Sequence, residues 1–470
     1  MLGKMHRFDG RLVMVGFGCI GQGVLPLLLR HIDMRPGQLL ILSADTEGAA
    51  IAQSHGVACE RIALDAYNVR RELEQRIGRG DFVLNLSVNV SSVALIALCR
   101  RQGALYLDTC IEPWEGGYID PALPLAQRTN YALREAALAT RGPTRDGPTA
   151  VLTHGANPGL VSYFLKQALL DIASDTGVAC GRPTTRQGWA ELARQLNLRC
   201  IHIAERDTQV GRERKQPAEF VNTWSVEAFV DEGCQPAELG WGTHERDFPP
   251  DGVRHAAGSR AAIYLGRPGA STRVRTWTPR AGPLHGFLIT HAESISIADH
   301  LTLGDPAQPI YRPTVHYAYH PCDDAVLSLH ETFGSGVIQR HQHILDETEI
   351  SEGIDELGVL LYGHARNALW YGSRLSFDEA CGLAPYQNAT GLQVSSAVLA
   401  SMVWALENPM AGIVEADEMD HARCLEVQRP YLGSVEAIYT DWTPLSHRWG
   451  QFKENIDEAE PWSFRNVLAS

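Results

Sequence analysis

The chain has 470 residues, 44% hydrophobic and 20% charged, a length that suggests two or three domains and a composition that excludes a disordered or fibrous protein. Its formal charge of −14 argues against nucleic acid as a partner and suits a cationic substrate. The segment Met1 to Asp9 lacks the apolar core of a signal peptide, and no stretch approaches the ~20 apolar residues that span a bilayer. A cytoplasmic protein with no membrane partner is expected. The ten cysteines (19, 59, 99, 110, 180, 200, 234, 322, 381, 424) form no C-x-x-C pair and read as reduced thiols. Only Lys4, Lys166, Lys215 and Lys453 are lysines, which leaves few candidates for a Schiff base.

Residues 12–15 predict a buried strand that runs into Gly16-Phe17-Gly18-Cys19-Ile20-Gly21, and Val24 to Leu29 predicts the helix after it. In a dinucleotide site Gly16 makes the tight turn, Gly18 admits the pyrophosphate and Gly21 lets helix and strand pack, while the helix N-terminus offers free N–H groups. A glycine-rich structural turn is the alternative. The second strand, Gln38 to Leu42, ends at Ser43, and the first acid beyond it is Asp45. Such an acid holds the adenosine ribose, and with no arginine beside it NAD is expected over NADP.

A strand over Asp81–Leu86, a helix over Val93–Arg101 and a strand over Ala104–Thr109 continue the alternation. That order predicts a doubly wound, Rossmann-type parallel sheet with ligands beyond the carboxyl ends of its strands. Ser87, Asn89, Thr109 and Glu112 lie at such ends, where helix capping and turn chemistry would use the same residue types. A Pro/Gly/Arg-rich linker, 141–148, precedes a strand at 149–153, the turn His154-Gly155-Ala156-Asn157-Pro158-Gly159 and a helix from Leu160 to Ile172. This Asn-Pro-Gly turn reads either as a hinge out of the cofactor domain or as an ordinary helix start.

From about 183 to 385 the strands are shorter and more aromatic, with Gly266-Arg267-Pro268-Gly269 predicting a turn between Ala262–Leu265 and Arg273–Trp277. An α+β domain with a mixed or antiparallel sheet follows. The apolar segment Thr390–Leu406 predicts a buried helix that returns to the first domain. The expected division is 1–155 for cofactor, 156–385 for substrate and dimerisation, and 386–470 for the C-terminal segment.

Three stretches could carry chemistry. Ile201 to Thr208 places Glu205 on an apolar strand, and Phe220 to Gly233 brings Trp224 close to Glu227, Asp231 and Glu232. Carboxylates and an indole face could hold an organic cation, the face by a cation–π attraction of ~0.5–2 kcal/mol. The bland alternative is a core tryptophan with the acids paired to Arg206 or Arg212. His291, after a predicted strand Gly286–Thr290, could shuttle protons near neutral pH or merely cap a helix. His316-Tyr317-Ala318-Tyr319-His320 lacks the glutamate of H-E-x-x-H, so no metal is expected there.

Several motifs together are shared with one family: the glycine loop, Asn85-Leu86-Ser87-Val88, Asp108-Thr109 with Glu112-Pro113-Trp114, Gly155 to Gly159, His202 to Thr208, Asn222 to Glu227, Ala237 to Gly242, His291 to Asp299 and Asn388 to Ser396. Over nearly its whole length the chain resembles the bacterial homospermidine synthases, relatives of saccharopine dehydrogenases. The resemblance implies a homodimer that keeps NAD as a prosthetic group and joins two putrescines, or putrescine and spermidine, with loss of ammonia. It implies Trp224, Glu205, Glu232, Asn157, His291 and Glu112 around the diamine, and Gly16, Gly18, Cys19, Ile20, Gly21, Ser43, Asp45, Ser87, Thr109, Asn157 and Pro158 around the cofactor. Two positions depart from the family pattern: Ser43 replaces an acid and Asn89 an aspartate. A saccharopine-dehydrogenase-like reductase using Arg206, Arg212 or Arg273 for a carboxylated substrate, and a nucleotide sensor without chemistry, are the other readings.

Overall fold

A computed structural model describes residues 3–142, 146–448 and 454–469. The start of the N-terminal segment (Met1, Leu2), part of the linker (Pro143, Thr144, Arg145) and Lys453 lie outside the described residues.

The first sheet has seven parallel strands, in the spatial order 411–415, 147–152, 105–108, 82–85, 12–15, 39–43, 58–61. Its interior strand Leu12–Val15 is wholly buried, as expected for a parallel strand covered by helices on both faces. Strand order reverses at Leu12–Val15, which pairs with Leu39–Ser43 on one side and Phe82–Asn85 on the other; the ligand crevice of a doubly wound sheet lies at that reversal. The helix that follows runs from Cys19 to His31. It begins earlier than its apolar run because the chain turns directly after Gly18.

The second sheet has ten strands, and both pairing senses occur in it. Cys200–Asp207 runs parallel to Thr314–His320 and antiparallel to Ile354–His364. Alternation along Cys200–Asp207 divides the sheet: Glu205 and Asp207 share one face with Tyr317, Tyr319 and Asp355, while Cys200 and His202 share the other with Thr314, His316 and Tyr362.

Two expected boundaries differ. The strand from Ala262 continues through Gly266-Arg267 to Pro268, opposite Pro236 across a register shift, and the chain turns only over Gly269–Ser271. A proline is tolerated at a strand end because it has no N–H to leave unpaired. The strand before His291 spans Gly282–Phe287, since Leu288 already bonds to Thr272 outside the ladder.

The C-terminal segment joins both sheets, with Ala411–Glu415 on the first and Ser434–Thr440 on the second. Helix Ala389–Glu407 is the one span among the described residues long and apolar enough to cross a membrane, and it is 89% buried. It packs along Cys19–His31, where Gln387 Nε2 donates to the Gly23 carbonyl and leaves no room for a side chain at Gly23.

Candidate active site

The three glycines do three different things. Gly16 has φ +87°, and a Cβ there would lie 2.6 Å from the Ser87 nitrogen, so the turn closes against the neighbouring strand end. Gly18 is exposed, with no atom within 4 Å of where its Cβ would be. A Cβ on Gly21 would press on the Gly16 carbonyl and the Phe17 ring at 3.1 Å. The helix then starts at Cys19 with no side-chain cap and no acid in its first turn, so its first amides lack intrahelical acceptors. Room at Gly18 and a helix start without a side-chain cap fit the diphosphate of a dinucleotide.

Around this crevice Ser43 is buried and Asp45 exposed. Parallel pairing sets Arg61 opposite Ser43, with Arg61 Nε donating to the Ala44 carbonyl at 3.3 Å. An arginine therefore stands at the second strand's end although none is near it in sequence. Ser87 Oγ donates to Asn85 at 2.6 Å. Thr109 follows Asp108, whose buried carboxyl accepts from the Thr153 amide and the Tyr106 hydroxyl and is raised by burial to about 6.

Asn157 connects this crevice to the second sheet. It precedes Pro158 through a cis peptide, and its Nδ2 donates to Glu205 Oε2 at 3.2 Å. The same oxygen accepts from the Tyr317 hydroxyl. Glu205 is 2% exposed; burial raises its pKa, the Tyr317 hydrogen bond partly offsets that, and the net value is about 8. On the same face Asp207 accepts from Thr223 and the Gln209 amide. Asp355 accepts from Thr390 at 2.6 Å, and its other oxygen is buried without a partner. Burial first, and then Glu205 and Asp207, push Asp355 well above the usual carboxylate range.

His291 precedes the helix Ala292–His300 without capping it by its side chain. Its Nε2 lies 3.1 Å from Glu232 and its Nδ1 3.1 Å from Glu293. Burial alone would lower its pKa, but Glu293 and Glu232 outweigh that and hold the imidazolium. Glu232 also faces the Cys110 thiol at 3.8 Å. Glu112 accepts from the Asn89 amide at 3.1 Å; burial dominates, with Glu232 and Asp231 adding to it, and its pKa reaches about 8. Asn89 has φ +62° and donates its side-chain amide to Glu227 at 2.8 Å, so it caps no helix. Ser91 performs that role, accepting from Ala94.

Trp224 is half-buried. Its Nε1 donates to the Tyr319 hydroxyl at 3.0 Å, and its ring meets Phe229 at 5.4 Å. The Tyr319 ring stacks on Tyr317, which in turn lies 4.6 Å from His291. The indole is thus tethered to the acid cluster rather than sunk in the core. Sequence reasoning missed Tyr317, Tyr319, Asp207 and Asp355. The tyrosines stood inside the His316–His320 array, and alternation alone separated them from its histidines.

Glu112, Glu205, Asp207, Glu232, Glu293 and Asp355 are all buried, and among the described residues none pairs with arginine or lysine; His291 bridges two of them. Burial without a counter-charge holds Glu112, Glu205 and Asp355 toward their protonated forms, and a cation entering the cluster would favour the charged ones. The described lysines are occupied elsewhere: Lys4 and Lys166 donate to backbone carbonyls and Lys215 pairs with Glu331.

The chain matches the saccharopine dehydrogenase NADP binding domain over residues 12–151 and the saccharopine dehydrogenase C-terminal domain over residues 155–440. Fold and site thereby define the class of saccharopine-dehydrogenase-type proteins. An apo saccharopine dehydrogenase (L-Glu forming) from Saccharomyces cerevisiae shares the fold at a TM-score of 0.50 and 11% identity, covering 92% of this chain and 100% of that one. The homospermidine synthase of Blastochloris viridis is 58% identical over 467 residues, 98% of each chain, and that of Mesorhizobium japonicum 53% over 466 residues, 98% of this chain and 96% of the other. A crystal structure of the Legionella pneumophila homospermidine synthase in complex with NAD superposes with a TM-score of 0.92 at 45% identity, covering 99% of this chain and 98% of that one. This chain belongs to the homospermidine synthase family.

Proposed function

We propose that the protein joins two putrescines, or putrescine and spermidine, with release of ammonia and no net change of redox state, using NAD held in the glycine-loop crevice by Gly16, Gly18, Cys19, Ile20, Gly21, Ser43, Asp45, Ser87, Thr109, Asn157 and Pro158. The observation that carries this reading is the buried carboxyl cluster beside a half-buried tryptophan, with no arginine or lysine paired to it among the described residues. A diammonium ion would draw these carboxyls into their charged forms.

Bound NAD supplies a hydride acceptor and, once reduced, a hydride donor, so oxidation of the first amine to an imine and reduction of the exchanged imine balance. The protein does the rest. Trp224 attracts an ammonium with its face and cannot accept its proton, which leaves proton removal to a carboxylate. Glu205, with a pKa of about 8, suits that task near neutral pH, and Tyr317 and Asn157 fix its orientation. Glu232 and Glu112 hold the distal ammonium, and His291 keeps Glu232 aligned. A protein Schiff base is unnecessary, because the second amine attacks the imine carbon directly and ammonia leaves.

The reductase reading requires a guanidinium aimed at a substrate carboxylate. Arg206 instead donates to the Pro321 carbonyl and Asp323, while Arg212 and Arg273 are exposed. The proposal includes a homodimer working in the cytoplasm. The protein incubated with putrescine as the only amine tests it: ammonia and homospermidine should accumulate without NADH. Consumption of NADH would support the reductase, and absence of both products would refute catalysis of this kind.

A further inference from the structure

The strand that carries Glu205 presents Cys200 on its opposite face, the face shared with His316 of the array where no metal is expected. Cys200 Sγ lies 3.5 Å from His244 Nε2, and His244 Nε2 lies 3.3 Å from Glu245 Oε1. All three donor atoms fall within 4.8 Å of one another. Bonds of ~2.3 Å to sulfur and ~2.0–2.1 Å to nitrogen and oxygen, set at tetrahedral angles, separate S from N by about 3.6 Å and N from O by about 3.3 Å. Both recorded edges match. We propose that Cys200, His244 and Glu245 bind a zinc ion that pins the C-terminal tail to the back of the second sheet.

The donor set selects the metal: one thiolate, one imidazole and one carboxylate suit zinc and exclude calcium or magnesium, which take oxygen alone. Hydrogen bonding by itself leaves a charge problem. The Glu245 side chain is 1% exposed, and among the described residues its only ion-pair partner is the His244 ring. A dication would compensate that carboxylate and the Cys200 thiolate together, Cys200 giving up its thiol proton to solvent as the Zn–S bond forms.

The surroundings are those of an oriented site. Thr314 Oγ1 donates to Glu245 Oε1 at 2.6 Å, and the Phe464 amide donates to both its oxygens at 3.1 and 2.9 Å. Such outer contacts fix a ligand before the ion arrives. The Cys200 thiol donates to the Trp462 carbonyl at 2.9 Å, a contact the thiolate gives up when the Zn–S bond forms, so two tail residues touch two of the three side chains.

The full-length protein, purified untagged in chelator-free buffer, should carry about one zinc per chain by elemental analysis. Cys200→Ser and His244→Gln should each lower the bound zinc by at least about tenfold. Should either variant fail to fold, the unaltered protein still decides: dialysis against a chelator should lower its Tm, zinc but not magnesium should restore it, and cobalt should give the visible bands of a tetrahedral thiolate site. Protein that holds no zinc after exposure to the ion, or that keeps its zinc in both variants, overturns the proposal, as does a Tm indifferent to chelator and zinc.

Discussion

The cofactor crevice and the carboxyl pocket meet at Asn157 yet are built from different materials. The crevice is made of backbone: Gly16 closes a turn, Gly18 leaves space, and the start of Cys19–His31 offers amides. The pocket is made of side chains drawn from distant segments: Glu112, Glu205, Glu232, His291 and Asp355 meet only through the sheet pairing, the loop after strand 105–108, the last turn of helix Val226–Cys234 and the start of helix Ala292–His300. Backbone sites tolerate changes of side chain except where a glycine is needed. A side-chain site fails at any of several positions, because each buried charge depends on the others.

The largest effect expected is on Trp224. Trp224→Lys places a cation where the substrate's ammonium should sit, so activity should vanish while NAD affinity and Tm stay close to their original values. Trp224→Leu should retain less activity than Trp224→Phe, since only Phe keeps an aromatic face. Equal activity of Leu and Phe would return the indole to a packing role. Gly18→Val should come next: its side chain has free space within the protein, so the fold should survive while calorimetry finds no NAD binding. Gly16→Ala is the contrast, because its Cβ would collide with backbone at 2.6 Å and should cost both NAD binding and melting temperature.

Glu205→Gln and Glu232→Gln remove a charge-assisted contact and should each lower kcat/KM for putrescine by roughly tenfold or more without altering NAD affinity. Tyr317→Phe removes one hydrogen bond from Glu205 and should be milder. Without that stabilising contact the Glu205 pKa should move further up, so the alkaline shift of the pH–rate profile is the reading to make.

The smallest effects are those of pH. Glu205 and Glu112 have folded pKa values of about 8 against ~4.3 for an unfolded glutamate. Raised values mean their contribution to stability is fully present below ~4.3 and fades as the pH climbs through about 8. Substrate-free protein should therefore lose melting temperature between pH ~5 and ~8.5, and putrescine should restore more of it at the upper end, where the carboxylates are charged. A melting temperature that is flat over this range, with or without putrescine, would mean that these acids are not buried together.

Local sequence decided what local backbone chemistry can decide. Three glycines between an apolar strand and a helix specify a tight turn and a helix start wherever they occur, so the crevice was legible, as were the parallel alternation and the buried helix Ala389–Glu407. Glu205, Trp224, Glu232 and His291 could be singled out as candidates, because acids and a histidine beside apolar strands invite attention. Their conjunction needed the fold. Tyr317 reaches Glu205 only because Thr314–His320 pairs in parallel with Cys200–Asp207, and Asp355 stands beside Asp207 only through an antiparallel register set 148 residues away in sequence. Arg61 comes to Ser43 in the same way, across a ladder. Period-two alternation assigns side chains to faces, but which face meets which is fixed by strand pairing, a non-local choice that no window of sequence contains.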